Sequence, residues 1–215
     1  MAYLWGVDSP TKVTTDLYNC VVKSLGKPSY WGRYLTTVEG ASDGLTRSEI
    51  DLLHNSGTKI LPIYNNFSNA TGLREGRVVA QNATFAAQRL GIPKGTLLFA
   101  YMEKSFKVDE DWIRGYVDRI YSSGYLAGMY HDPVNGDFLK AYCAAIDKDE
   151  DVALQLILWS AEPERGVSIK RRVPKFRPAK LPCQNNTWGW QYGRDAEACP
   201  VDTNLFDERL FSKLY

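Results

Sequence analysis

The stretch TLLFAYMEKSFKVDEDWIRGYVDRIYSSG, residues 96–124, decides the fold prediction because a short apolar run leads into an amphipathic segment. Residues 96–103 have the length and apolar content of a buried strand. Residues 109–124 have helical periodicity and end at a glycine, which commonly terminates a helix. The stretch therefore predicts one strand followed by one helix.

The same strand–helix unit occurs five times in series. The predicted strands are 3–8, 29–35, 59–65, 96–103 and 125–132, and the predicted helices are 14–26, 45–57, 73–91, 109–124 and 136–147. Thr46 and Glu49 have capping-box spacing at the start of the second helix. Parallel strands need crossover connections, which helices supply, so the five units predict a parallel sheet.

The alternation of strand and helix patterns stops after the apolar run 153–163. The proline-containing segment 167–183 has no convincing helical pattern, and it precedes strand-like residues 187–193 and the short segment 199–206. We predict that residues 1–215 form one α/β domain, an irregular (β/α)8 TIM-type barrel whose last third has lost its helices. A doubly wound sheet is the alternative.

Composition limits the classes of partner. The 215 residues are 44% hydrophobic, which is enough for one sizeable core, and the net charge of +1 gives no overall field for nucleic acid or an anionic membrane. No apolar run approaches the roughly 18 residues of a membrane span, and residues 1–12 lack the features of a signal peptide. We expect a soluble monomer that does not bind nucleic acid.

The four cysteines have no Cys-x-x-Cys spacing and no nearby histidines, so we expect no metal and no cofactor. Cys183 and Cys199 flank a tryptophan-rich segment, where a disulfide and free thiols are both open. Cys20 and Cys143 lie in predicted helices and are expected to be buried thiols. A disulfide would place the protein in an oxidising compartment.

Carboxylates and aromatic residues dominate the predicted strand ends, which meet at one mouth of a parallel barrel. The residues at these positions are Asp8, Arg33, Tyr64, Glu103, Tyr130, His131, Asp132, Trp159, Glu162, Trp190, Gln191, Tyr192, Asp202 and Asn204. This mixture suits a carbohydrate, whose hydroxyl groups need acceptors and whose C–H faces stack on aromatic rings. Cleavage of a glycosidic bond needs a protonated carboxyl and a second group that stabilises an oxocarbenium-like transition state.

Glu103 is the candidate general acid. Leu97, Phe99, Tyr101 and Glu103 alternate along the fourth strand and share one face. If that face is the barrel interior, partial desolvation over aromatic residues would favour the protonated carboxyl. A solvated strand end beside Lys104 is the alternative.

Motifs in a fixed order along nearly the whole chain resemble the lysozyme-type muramidases of glycoside hydrolase family 25. They are WGVDS, LFAYME, AGMYHD, LILWSAEP and WGWQYG followed by VDTN. YWGRYL, LTRSEIDLLHNSGTKILPIY and AQRLGIPKGTLLFAY are even more similar to a related glycoside-hydrolase-like domain, domain of unknown function 1906. The resemblance implies an irregular barrel, with five β/α units and then three strands with little helix, and a carboxylate-lined cleft.

Carried over by position, the resemblance implies that Asp8 is the first-strand aspartate, Glu103 the acid–base glutamate and Asp202 the late aspartate. Gln191 and Tyr192 match the WQY element. These five positions would line the cleft.

One position departs from the muramidase pattern. The muramidases carry an Asp-x-Glu pair on strand four, whereas Tyr101 occupies the aspartate position here. The resemblance implies that this aspartate orients the substrate's acetamido group, a task that would pass to Asp8, Asp202 or Tyr101. A phenol can also act as a nucleophile in some glycosidases. Altered activity and a fold kept for binding both remain open.

Several candidates have competing interpretations. Arg33 would need an anionic partner in an aromatic strand, and we expect a carboxylate across the mouth, with structural pairing and substrate contact both open. His131 is the histidine expected to reach the cleft. Trp159 and Trp190 are expected to be sugar platforms, and Trp112 to belong to the core.

Residues 169–180 contain six basic residues, no acidic residue and two prolines. A solvated connection is one interpretation. The other is that these residues bind an anionic polymer, such as a phosphorylated glycan, through their positive charge.

The sequence thus predicts a glycosidase of lysozyme type that acts on amino-sugar polymers such as peptidoglycan, outside the cell or in its envelope. Glu103 would be the acid, and Asp8 and Asp202 would stabilise charge or position water. The alternatives are a catalytically silent glycan-binding barrel and a cell-wall-targeting lysin or effector module.

Overall fold

The computed structural model describes residues 2–215 and contains a closed barrel of eight strands in sequence order. The strands are β1 Tyr3–Asp8, β2 Tyr30–Tyr34, β3 Lys59–Tyr64, β4 Leu97–Tyr101, β5 Leu126–His131, β6 Leu156–Ser160, β7 Asn186–Gly193 and β8 Asp202–Asp207. Strands β1 to β7 pair in parallel, whereas β8 runs antiparallel to both β7 and β1. The predicted irregular barrel is confirmed, and a doubly wound sheet was the wrong alternative.

Helices follow each of the first five strands, as the sequence predicted. They are α1 Thr15–Ser24, α2 Arg47–Asn55, α3 Leu73–Arg89, α4 Glu110–Ser123, α5 Phe138–Lys148 and the short α6 Asp151–Gln155. The predicted capping box is present, because Thr46 accepts from the Glu49 amide and the Glu49 carboxylate accepts from the Thr46 amide. Helices α3 and α4 approach closely at Gly76 and Gly115, where a β-carbon would collide with the backbone of the other helix.

The antiparallel course of β8 was not predicted from the sequence, and it follows from the length of its connection. Only residues 194–201 join β7 to β8. A parallel crossover needs about a dozen residues or more, so a connection this short turns the chain back. As a result, the start of β8 lies at the mouth of the barrel, beside the end of β1, where Asp202 pairs with Asp8.

Side-chain alternation divides the core into an interior and an outer layer. Phe99 lies in the barrel interior with Trp159 and Phe206, and Tyr101 packs against this cluster. Leu98, Ala100 and Met102 instead pack between the sheet and the helices. The predicted alternation of β4 is therefore confirmed. Trp112 lies fully buried in the outer layer, as expected.

Residues 161–185, called the strap below, connect β6 to β7 and lie where a regular barrel would place helices. The strap reaches the end of α1, where the Lys170 amide donates to the Leu25 carbonyl at 2.8 Å, and returns to the mouth, where the Ala179 amide donates to the Glu162 carbonyl at 2.8 Å. Its Val167 and Phe176 side chains pack on the outer core. The strap thus covers the sheet without regular helices.

Two disulfides join the outer elements, and neither is the Cys183–Cys199 pairing that the sequence left open. Cys20 on α1 is bonded to Cys199 in the loop before β8, and Cys143 on α5 is bonded to Cys183 in the strap. A Cys183–Cys199 bridge, one of the two alternatives left open, does not form, and the expected free thiols at Cys20 and Cys143 were wrong. Each bridge ties an irregular segment to the helix that it packs against, which sequence spacing alone does not reveal.

None of the helices within residues 2–215 has the length and apolar content needed to cross a membrane.

Candidate active site

Two carboxylates share one amide at the barrel mouth. Asp8 ends β1 and Asp202 begins β8, and the two residues are paired in the strand register. The Gln191 side-chain nitrogen donates to Asp8 Oδ1 at 3.2 Å and to Asp202 Oδ2 at 2.9 Å. Gln191 therefore bridges the two acids and fixes their relative position.

Buried polar groups hold this pair from below. Asn204 Nδ2 donates to Asp8 Oδ1 at 2.7 Å, and Trp159 Nε1 donates to Asn204 Oδ1 at 3.1 Å. The Asp195 amide donates to Asp202 Oδ1 at 2.8 Å. The carboxylates are thus held by a network of hydrogen bonds that continues to the barrel interior, an arrangement that keeps a site rigid.

The Gln191 amide has a defined orientation because its oxygen accepts two hydrogen bonds. Tyr130 OH donates to Gln191 Oε1 at 2.6 Å, and Arg194 Nε donates to the same oxygen at 3.2 Å. Arg194 also donates to Glu164 and to the Ala161 carbonyl, which anchors it across the mouth. Arg194 was not predicted as a site residue, although its place directly after the WQYG strand was the signal available.

Burial favours the neutral forms of both carboxyl groups. It raises the pKa of Asp8 to about 6, and the hydrogen bonds from Asn204 and Gln191 oppose this rise. Burial likewise raises the pKa of Asp202, to about 8, and the negative charge of Asp8 adds to this rise. Because one pKa lies below neutral pH and the other above it, the pair carries about one proton near neutral pH.

Three tyrosines form a wall beside the carboxylate pair. The Tyr101 ring stacks on the Tyr130 ring at 4.2 Å between centroids, and the Tyr34 ring meets Tyr101 edge-on at 5.7 Å. Burial raises the pKa of Tyr101 and of Tyr34 well above the usual value, so both phenols stay protonated at neutral pH. These groups can donate hydrogen bonds to a ligand, and the wall presents apolar ring surface.

Glu103 lies just after β4, between two adjoining cavities. One cavity, of about 380 Å³, includes Asp8, Tyr34, Asp202 and Glu103 in its lining. The other, of about 310 Å³, has a lining that includes Tyr130, Asp132, Glu162, Arg194 and Glu103. Tyr101 and Glu103 line both cavities and so stand at the boundary between two halves of one cleft.

The environment of Glu103 differs from the predicted one. The residue is exposed, and within residues 2–215 its carboxylate has no hydrogen-bond partner. The expected desolvation over aromatic residues is therefore absent, because β4 ends at Tyr101 and the chain turns outward beyond Met102.

Arg33 does not face the mouth, and its expected partner was wrong. Its Nε lies 2.8 Å from Glu49 Oε1 on α2, and both side chains are fully buried. The remaining guanidinium nitrogens donate to the carbonyls of Ser9, Pro10 and Asp43. Arg33 thus fixes the loop after β1 from outside the barrel. The neighbouring Tyr34, which the sequence analysis missed, points to the mouth because strand residues alternate.

Four other predicted residues also lie on the outer side of the sheet. Tyr64 packs in the outer core, and Trp190, whose Nε1 donates to the Pro163 carbonyl, packs beside Tyr192. His131 is fully buried against Phe138, and burial lowers its pKa to about 3. None of these side chains contributes to the cleft. These residues lie on the predicted strands, but their side chains point to the outer face of the sheet, and the residues one position away point to the interior.

Trp159 and Asp132 lie at the mouth, but their roles there differ from the expected ones. Trp159 is fully buried beneath Asn204, so it forms the floor of the site and offers no open face for a sugar ring. Asp132 borders the second cavity, but its carboxylate caps the following turn by accepting from the amides of Val134 and Asn135.

The chain matches a known protein family and a solved structure of similar sequence. Residues 27–204 match the family described as Rv2525c-like, glycoside hydrolase-like domain. An uncharacterized B. stearothermophilus protein of known crystal structure is 52% identical, with a TM-score of 0.97 over 99% of this chain and 100% of that chain. No curated protein matches the chain.

Two more distant structures share the fold alone. The family GH25 lysozyme from Aspergillus fumigatus is 11% identical, with a TM-score of 0.58 over 99% of each chain. The modular autolysin LytC from Streptococcus pneumoniae, solved with a synthetic peptidoglycan ligand, is 12% identical, with a TM-score of 0.58 over 95% of this chain and 47% of that chain. The family match and the shared fold confirm the resemblance that the motif order predicted.

Proposed function

Because the chain belongs to the Rv2525c-like, glycoside hydrolase-like domain family, we propose that it hydrolyses amino-sugar polymers such as peptidoglycan at the barrel mouth. The observation that carries this proposal is the Asp8–Gln191–Asp202 cluster beneath a cleft that Glu103 divides. Such a cleft can hold sugar units on both sides of Glu103, which is where a scissile linkage must lie.

In this proposal Glu103 donates a proton to the leaving glycosidic oxygen, and the carboxylate pair acts from the floor. Near neutral pH the pair can offer both a negative charge to an oxocarbenium-like centre and an acceptor that positions water. The two hydrogen bonds from Gln191 hold both carboxylates at the mouth. Asp8 and Asp202 therefore serve as stabilising and water-positioning groups.

Tyr101 acts in this scheme as a hydrogen-bond donor. Its phenol stays protonated because burial raises the pKa of Tyr101, which argues against a phenolate nucleophile. The stacked Tyr101 and Tyr130 rings suit the C–H faces of a sugar, and the Tyr101 hydroxyl suits an acetamido oxygen, since the Tyr130 hydroxyl already donates to Gln191.

The proposal extends to the location of the protein and to its organisation as one domain. The two disulfides favour an oxidising compartment, so we place the protein outside the cell or in its envelope. We also propose that residues 1–215 act as one domain and as a monomer. The peptidoglycan ligand of the LytC structure makes peptidoglycan the first polymer to test.

The deciding experiment measures reducing-end release from purified peptidoglycan and chitin oligomers. Glu103→Gln should reduce release by about a hundredfold or more, the usual range for loss of a general acid. Glu75→Gln, which changes an exposed acid on α3, is the matched control and should leave release unchanged. Equal release from both variants would show that Glu103 is not the acid.

A second function, glycan binding without cleavage, is favoured by one specific observation. The exposed Glu103 carboxylate lacks a hydrogen-bond partner within residues 2–215, and Tyr101 stands where the muramidases carry an acid. This alternative predicts saturable binding of glycan fragments by the native protein with no reducing ends released. Sustained turnover would exclude it. A lysin or effector module would show cleavage together with growth inhibition on export.

A further inference from the structure

The strap carries a concentration of positive charge outside the mouth. The six basic residues between positions 169 and 180 of the strap are all exposed: Lys170, Arg171, Arg172, Lys175, Arg177 and Lys180. Within residues 2–215 none of them forms a salt bridge, and only Lys170 donates a side-chain hydrogen bond, to the Lys27 carbonyl at 2.8 Å. Since the whole chain has a net charge of +1, this surface is unusually cationic for the molecule.

The backbone of the strap holds these cations in place. Pro174 and Pro178 restrict its backbone. The Lys170 amide donates a hydrogen bond to the Leu25 carbonyl, and the Ala179 amide donates one to the Glu162 carbonyl. The Cys143–Cys183 bridge secures its end. Because folding already orders the segment, a ligand that meets these cations loses less conformational entropy on binding.

A cavity of about 730 Å³ opens beside the cations. Its lining includes Phe176, Arg177, Pro178, Lys180, Asn185 and Thr187. The Arg177 guanidinium and the Lys180 ammonium can donate hydrogen bonds to a ligand, and arginine in particular matches the oxygens of phosphate. The cavity therefore suits a ligand rich in anionic oxygen acceptors.

We propose that the strap binds a phosphodiester-linked anionic polymer, as a second site separate from the mouth. An extended row of cations fits a repeating chain of anions better than a single ion. The row is joined to the mouth because Ala179 is bonded to Glu162, whose side chain borders the second cleft cavity. Only the Ala179 end of the row reaches the mouth, because the Lys170 end lies at the end of α1. This site does not depend on hydrolysis at Glu103.

The aromatic residue of the strap argues against single-stranded nucleic acid as the ligand. Phe176 stacks on Tyr3 at 4.4 Å between ring centroids and meets Trp190 edge-on at 6.1 Å. Proteins that bind single strands stack bases on open aromatic faces, and this ring is already engaged on two sides. Binding by charge to a flexible phosphodiester backbone needs no such face.

The test measures binding of a synthetic poly(glycerol phosphate) by the full chain. One variant replaces Arg171, Arg172, Lys175, Arg177 and Lys180 by glutamine and keeps Lys170, which anchors the strap. The matched control replaces the same numbers of exposed arginines and lysines elsewhere, at Arg47, Arg74, Arg89, Lys94 and Lys140. Both variants lose five positive charges, so only the position of the charge differs.

We expect the strap variant to lose at least about tenfold in affinity and the control to stay within about threefold of the native protein, because charge acts within a Debye length of the polymer. Binding should also weaken as salt is raised. Release from short uncharged chitin oligomers should match the native protein in both variants, which separates this site from the mouth.

Three outcomes would overturn the proposal. One is the absence of saturable binding to poly(glycerol phosphate) at low salt. Another is an equal loss in both variants, which would reflect net charge alone. The third is tighter binding to oligo(dT) or to phosphatidylglycerol vesicles than to the polymer, which would assign the strap to a different partner.

Discussion

Replacing Asp8 by asparagine should make the protein more stable at pH 8 and leave its stability at pH 4 nearly unchanged. Burial raises the pKa of Asp8 from 3.8 to about 6, so the folded protein retains a proton that the unfolded chain releases. For an acid with a raised pKa, stability is fully present below pH 3.8 and is lost as the pH rises through about 6. The amide substitute does not titrate, and its oxygen can still accept from Gln191 and Asn204.

The size of the effect follows from the same shift. The rise in the pKa of Asp8 from 3.8 to about 6 corresponds to about 3 kcal/mol, most of which the native protein loses between pH 4 and pH 8 and the variant does not. Asp202 contributes in the same direction, because the charge of Asp8 raises its pKa. A change of this size is a large share of the roughly 5–15 kcal/mol that stabilises a domain.

The assay is urea unfolding at pH 4, 6 and 8, followed by tryptophan fluorescence with the disulfides intact. His131, whose pKa burial lowers to about 3, titrates in both proteins and cancels in their difference. Asp51→Asn, which removes a carboxylate at an exposed position on α2, is the matched control. If the curves for the native protein and Asp8→Asn stay parallel from pH 4 to pH 8, the buried proton does not exist.

Three other substitutions test separate parts of the structure. Glu49→Ala should lower the free energy of unfolding by about 3–5 kcal/mol, because it leaves Arg33 buried without its carboxylate, and a loss under 1 kcal/mol in urea unfolding would contradict this. Tyr101→Phe should keep reducing-end release within about tenfold of the native rate, whereas a loss above about a thousandfold would indicate a covalent or proton-transfer role. Replacing Cys143 and Cys183 by serine should cost about 4 kcal/mol in unfolding, since 40 residues separate them, and unchanged unfolding would count against the bridge.

The architecture was predictable from the sequence because it rests on periodicity. Five alternating strand and helix patterns specify five parallel units, and the loss of that pattern after residue 163 predicts the irregular last third. The face of each strand was harder to predict. A shift of one residue in the assumed register moves every side chain to the other side of the sheet. For this reason Arg33 and His131 were expected at the mouth, whereas Tyr34 and Tyr130 point there.

The residues around the carboxylates required the three-dimensional pairing of distant segments. Asp8 and Gln191 are 183 positions apart, and Cys20 and Cys199 are 179 apart, so no local pattern joins them. Arg194 illustrates the same limit, because its role depends on the oxygen of Gln191 and on the carbonyl of Ala161. Family resemblance supplied the aspartates and Gln191, but not the hydrogen bonds that join them.

The irregular end of the barrel and the carboxylate pair have one structural origin. Strand β8 carries an aspartate at each end, Asp202 and Asp207. In a parallel strand Asp207 would lie at the mouth, but the reversal of β8 places Asp202 there and leaves Asp207 opposite Tyr3, where it pairs with Arg209. The short connection that causes this reversal leaves no helix to cover β7 and β8. The strap covers part of that surface, because its Phe176 ring meets Trp190 on β7 edge-on.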